Sequence, residues 1–87
     1  MQLEPHHMYL IINRAKRAHG HLGKVITMME EGAECEAVLT QLSAVLKALE
    51  RTGFQVDATG LQQCMAAGHG PESVDVKKME RLFLSLA

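Results

Sequence analysis

A glycine at position 32 constrains this chain more than any other residue. It separates two stretches in which apolar residues recur at helical spacing. Lacking a Cβ, Gly32 takes the left-handed conformation that ends a helix. The pattern predicts a stop at Glu31 or Gly32 and a new start near Ala33, with Cys35 in the first turn of the second helix. Before the break, Met8, Ile11, Ile12, Ala15, Ala18, Leu22, Val25, Ile26 and Met29 form one stripe. After it, Cys35, Val38, Leu39, Leu42, Val45, Leu46 and Leu49 share a face. Gly53 and Gly60 interrupt that face while Val56 and Leu61 continue it, so the second helix is read to about residue 66 with a kink near one of the glycines. A loop, Ala67-Gly68-His69-Gly70-Pro71, leads to a short third helix with Val76, Met79, Leu82, Phe83 and Leu86 facing inwards. The helices expected are about 5–31, 33–66 and 73–87. Pro5 suits a first helical position, where a missing N–H costs nothing. Residues before it form a loose tail, and Gly20 and Gly23 leave room for close approach of another backbone.

Composition agrees with helices. The chain has 87 residues, is 47% hydrophobic, and contains only 3% aromatics and no tryptophan. Its core must come from aliphatic side chains, as in packed helices, and the reading is one all-α domain spanning residues 1–87. A chain this small buries a modest core and commonly gains the rest by self-association. No apolar run is long enough for a membrane and no signal-peptide pattern is present, which predicts a cytosolic protein with reduced thiols and no membrane partner. Nothing resembles a catalytic dyad, triad or phosphate loop, so an enzyme is not expected.

Charge is distributed unevenly despite a net value of −1. Arg14, Lys16, Arg17 and Lys24 lie on the first helix with His19 and His21, whereas Glu30, Glu31, Glu34 and Glu36 cluster after it. The basic strip is either an ordinary solvated face or a phosphate-binding surface. Repeated by oligomer symmetry, it would hold DNA. No recognition-helix pattern accompanies it, so such binding would depend on the DNA backbone and groove shape.

Cys35 and Cys64 are the only cysteines. On one straight helix, at about 1.5 Å per residue, they stand roughly 40 Å apart. They cannot share a ligand within one chain. An antiparallel pair of such helices would set Cys35 of one chain beside Cys64 of the other, giving two equivalent sites per dimer. The alternative is that both are small buried hydrophobes. A helix N-terminus favours a thiolate at Cys35, and Glu34 and Glu36 oppose it.

Residues 12–65 resemble the copper-sensing-operon-repressor (CsoR/RcnR/FrmR) family. The matching pieces are Asn13-Arg14-Ala15-Lys16-Arg17-Ala18-His19-Gly20-His21-Leu22, Met28-Met29-Glu30-Glu31-Gly32-Ala33-Glu34-Cys35, Val38-Leu39-Thr40-Gln41-Leu42-Ser43-Ala44 and Leu61-Gln62-Gln63-Cys64. The resemblance implies three helices per chain and an antiparallel four-helix-bundle dimer core, assembled as a dimer of dimers. It implies a repressor that holds operator DNA through basic residues, here Arg14, Lys16, Arg17 and Lys24, until an inducer binds. The inducer site would be Cys35 with Cys64 of a second chain.

Copper sensors of the family carry a histidine where this chain has Gly60. A two-cysteine branch without that histidine senses reactive sulfur species, and the persulfide reading is placed ahead of copper here. In it Cys35 is the nucleophile, Cys64 resolves, and no cofactor is required. The alternative is Cu(I) or another thiophilic metal at Cys35 and Cys64, with His69, His6 or His7 as further donors. Nickel and cobalt sensors also use the absent histidine, and the formaldehyde branch uses a proline where Gln2 stands. Glu80 falls near a carboxylate that some copper sensors place behind the metal. A helical interaction protein without DNA binding is the reading from another class.

Overall fold

The computed structural model describes residues 2–68, 70 and 72–86. It is all-α among those residues: a single 3₁₀ turn at Pro5–His7, then α1 (Tyr9–Glu30), α2 (Cys35–Ala66) and α3 (Val74–Leu86). α1 and α2 pack as a hairpin, and α3 folds back on α2.

The helix boundaries have local causes. Gly32 sits at φ +73°. The Gly32 N–H donates to the Met29 carbonyl at 3.2 Å and the Ala33 N–H to the Met28 carbonyl at 2.9 Å. This double closure satisfies carbonyls that the end of α1 would leave bare. Gly68, at φ +88°, ends α2 in the same way, its N–H donating to the Met65 carbonyl at 3.1 Å. Ser73 caps α3, its Oγ accepting the Val76 N–H at 3.1 Å.

Ile11, Ala18 and Val25, at seven-residue spacing on α1, are buried, as is Val45 on α2. That spacing is the seam of a coiled-coil-like pair. Across α2 and α3, Phe54 and Phe83 stack with centroids 5.1 Å apart, and Val76 is buried.

Two expectations change, both before α1. Pro5 starts a separate 3₁₀ turn rather than α1, with Met8 between the two. α2 itself runs from Cys35 to Ala66 through Gly53 and Gly60 as one helix. Tertiary packing offsets the glycines' poor propensity: Gly60 is buried, and the Leu86 side chain lies over Gly53, 2.9 Å from where a Cβ would be. The segment before Pro5 is not a loose tail. Gln63 accepts from the Glu4 N–H at 3.3 Å and donates to the Gln2 carbonyl at 3.1 Å. Among the described residues nothing lies within 4 Å of a Cβ at Gly20 or Gly23.

The molecule is a slab. Its extents are 52 × 25 × 13 Å, so its thin dimension is about one helix diameter. The radius of gyration is 16.5 Å, against about 12 Å for a compact chain of this length. Its accessible surface is 6604 Å², whereas a compact monomer of this mass exposes about 5,100 Å². The apolar residues expected inside are partly outside: Leu39 and Leu46 are each 58% exposed and Leu49 44%. Ile12, Ile26, Met29, Leu82, Phe83 and Leu86 are exposed too.

Candidate functional site

α2 positions both cysteines. Cys35 is its first residue, and Cys64 lies in its last turn. The 29 intervening steps, at 100° each, bring the two onto the same face within about 20°. Between them Leu39, Leu42, Leu46, Leu49, Gly53, Val56 and Gly60 alternate at spacings of three and four. This is a heptad seam from Cys35 to Gly60, and Cys64 follows it one helical turn later.

The two thiols have different surroundings. Cys35 is exposed, and Cys64 is buried at 1% exposure. Cys35 opens a shallow groove of about 780 Å³ with Leu39, Thr40, Ser43, Ala44 and Lys47. The chain does not bring the cysteines together. An unbroken helix holds them roughly 40 Å apart.

His6 and His7 have other neighbours than the thiols. His6 and His7 contact each other, ring centroids 4.1 Å apart, and His7 Nδ1 lies 3.2 Å from the Gln63 amide. His7 sits in a groove with Thr59, Gln62, Gln63 and Ala66. By helical rotation that side of α2 points away from the Cys64 face. His69 lies outside the described residues. Among the described residues no three His, Cys, Asp or Glu side chains cluster to hold a metal. Glu80 is exposed on α3.

The basic residues divide. Arg14, Arg17 and His21 of α1 line a groove of about 430 Å³ with Arg51, Thr52 and Gln55 of α2. Lys16 and Lys24 are not in it. Lys16 is two residues from Arg14, which rotates it about 200° around the helix. Arg51 was missed by a reading confined to the polar face of α1. The signal was on α2, where Lys47 and Arg51 follow at helical spacing. Among the described residues the one ion pair joins Lys77 and Glu72 at 3.2 Å, so all three groove arginines keep their charge for an external anion. Gln55 adds a buried amide oxygen with no hydrogen-bond partner among the described residues. His21 Nε2 and Gln41 Oε1, 2.7 Å apart, tie α1 to α2 beside it.

A helical hairpin with a thiol at each end of α2 and a cationic groove on its flank defines a class of small helical, thiol-bearing proteins with a surface suited to anions. Comparison with known proteins makes the class specific. The family described as metal-sensitive transcriptional repressor matches residues 9–85. The chain belongs to that family, the CsoR/RcnR/FrmR family, whose members are repressors and not enzymes. It is 40% identical over 68 residues to the copper-sensing transcriptional repressor CsoR of Mycobacterium ulcerans, covering 74% of this chain and 58% of that one. The CsoR proteins of Mycobacterium bovis and Mycobacterium tuberculosis are 34% identical over 68 residues, covering 74% of this chain and 57% of theirs. The chain thus spans a little over half the length of these relatives. No solved structure matches it. Among the described residues no helix is long and apolar enough to cross a membrane.

Proposed function

We propose that this chain is a metal-responsive transcriptional repressor that binds operator DNA and is released by Cu(I) held between Cys35 of one chain and Cys64 of its partner. The observation that carries the site is α2 itself: one uninterrupted helix with both cysteines on one face. Only an antiparallel second copy can put two thiols in reach. Its half-exposed leucines and one-helix thickness are the surface such a copy would cover. The relatives' names supply the inducer, which moves the preference from reactive sulfur to metal. The donor set suits it, because thiolates are soft and favour Cu(I).

The dimer pairs the two α1–α2 hairpins as an antiparallel four-helix bundle, and two dimers assemble into a tetramer. Arg14, Arg17 and Arg51 contact DNA phosphate, with Lys16 and Lys24 contributing charge from neighbouring faces. Cu(I) releases DNA because it binds the non-DNA-binding arrangement more tightly; equal affinity for both would shift nothing. Such a protein works in the cytoplasm, where thiols stay reduced.

A second reading is favoured by Gly60, which leaves no imidazole one turn before Cys64. In it the Cys35 thiolate takes a sulfane sulfur from a polysulfide, which leaves one sulfur shorter. The partner's Cys64 thiolate then displaces hydrosulfide and closes a disulfide, the polysulfide being the oxidant. Operator binding by wild type and Cys64→Ala, with Cu(I) and polysulfide in parallel, separates the two. Release by Cu(I) that Cys64→Ala abolishes supports the metal; release by polysulfide alone overturns it.

A further inference from the structure

The groove between α1 and α2 concentrates positive charge in a hollow. Arg14 and Arg17 of α1 and Arg51 of α2 line one concave volume of about 430 Å³, and no acid stands in its walls. The small side chains of Ala18 and Ala48 leave room there. Lys16 and Lys24 lie outside it. A duplex strand spreads one charge over about 3.4 Å of its axis on a convex surface, so few of its phosphates enter such a hollow. The volume is that of a small-ligand site, about 300–1,000 Å³. A second feature points to a ligand. Gln55 lines the same groove, and its Oε1 is buried with no hydrogen-bond partner among the described residues. It is an acceptor in a groove whose charged groups only donate, and a buried acceptor left unmet costs free energy.

We propose that this groove binds a nucleoside triphosphate, with the phosphate chain on Arg14, Arg17 and Arg51 and a ribose hydroxyl or base amine on Gln55. The charges match. A triphosphate chain is at least as negative as the three guanidiniums are positive, and it gathers that charge in one short chain. Each guanidinium presents a planar fork that pairs with two phosphate oxygens. Ionised phosphate oxygens only accept, so they leave Gln55 unmet; the nucleoside supplies the donor. The Gln55 side chain is half-buried, and its terminal torsion is soft, so the amide oxygen can turn into the groove. The same arginines face the operator in the reading above. On that reading the two anions exclude each other, and each lowers the affinity of the other. Operator affinity then falls as the nucleotide concentration rises.

Titration calorimetry of the intact metal-free protein tests this, with adenosine triphosphate, inorganic triphosphate and orthophosphate compared at one ionic strength. Adenosine triphosphate should bind tightest and orthophosphate weakest, weaker than either triphosphate by about tenfold or more, the effect of one charge-assisted hydrogen bond. Arg51→Ala should weaken both triphosphates by about tenfold or more. Lys77→Ala, which removes the same charge from α3, should leave them unchanged. Gln55→Leu should bring adenosine triphosphate down to the level of inorganic triphosphate. Arg51 is exposed, so its variant keeps the fold, which circular dichroism checks. Adenosine triphosphate that binds no better than orthophosphate, or an Arg51→Ala protein that matches Lys77→Ala, overturns the proposal. An advantage over inorganic triphosphate that persists in Gln55→Leu removes Gln55 from the site. Operator binding is measured in parallel. If Arg51→Ala loses the operator while no triphosphate binds wild type, the operator reading stands and this proposal falls. If adenosine triphosphate binds and leaves operator affinity unmoved, the nucleotide site stands and the operator lies elsewhere.

Discussion

The two halves of α2 carry the same seam and treat it differently. In the C-terminal half α3 packs on α2: Leu86 lies on Gly53 and Phe83 meets Phe54, and Cys64 at that end is buried. In the N-terminal half, among the described residues, Leu39, Leu46, Leu49 and Cys35 stay exposed. Full burial of a leucine is worth about 1.5–3 kcal/mol, so three half-exposed leucines on one stripe are a large unused driving force. The pattern is that of a chain that completes one end of its site and leaves the other for a second copy. Reversing the helix of that copy sets closed half against open half and thiol against thiol.

The largest expected effect comes from the thiols. Cys35→Ser or Cys64→Ala each abolishes the operator's response to Cu(I), measured by DNA binding with and without metal, although only one thiol is buried. Next is the open half. Leu46→Asp, at a position exposed in the single chain, would cost under about 0.5 kcal/mol if that surface were ordinary. The proposed interface makes it cost more than about 3 kcal/mol, because a carboxylate would be buried unpaired. Sedimentation should show the assembly dissociating. In that variant an alkylating reagent should modify Cys35 well before Cys64.

A smaller effect is expected on the flank. Arg51→Ala should weaken operator binding uniformly across sequences and lower the slope of log affinity against log salt by about 1, as should Arg14→Ala. Lys77→Ala, whose exposed ion pair with Glu72 lies on the α3 side, should leave the slope unchanged. The smallest effect belongs to the covered half. Gly53→Ala gains up to about 1 kcal/mol of helix propensity and must displace the end of Leu86, whose Cδ1 would lie 2.9 Å away. Thermal unfolding should therefore move little, within about 1 kcal/mol.

Much of the fold was legible in the residues. Gly32 announced the break because a left-handed turn there has a local cause, and the helical stripes needed only their spacing. Non-local effects were not legible. Gly53 and Gly60 looked like weak points because propensity is local, whereas Leu86 and the packing of α3 hold the helix through them. The tether from Gln63 to Gln2 and Glu4 spans most of the chain and leaves no periodic trace. The stripes identified which residues are apolar but not which neighbour covers them, so Leu39 and Leu46 read as core and emerge on the surface. The separation of the two thiols along α2 was legible from helix length alone. Arg51 was not, because its partners Arg14 and Arg17 lie on another helix.

The central claim is that each site is built from two chains. Mixing Cys35→Ser and Cys64→Ala chains and titrating with Cu(I) against a chelator tests it most directly. Neither variant alone has an intact site, but a mixed dimer regains Cys35 from one chain and Cys64 from the other. The account predicts high-affinity Cu(I) binding in the mixture, at one site per mixed dimer, and none in either parent. A mixture that binds no better than its parents would contradict it.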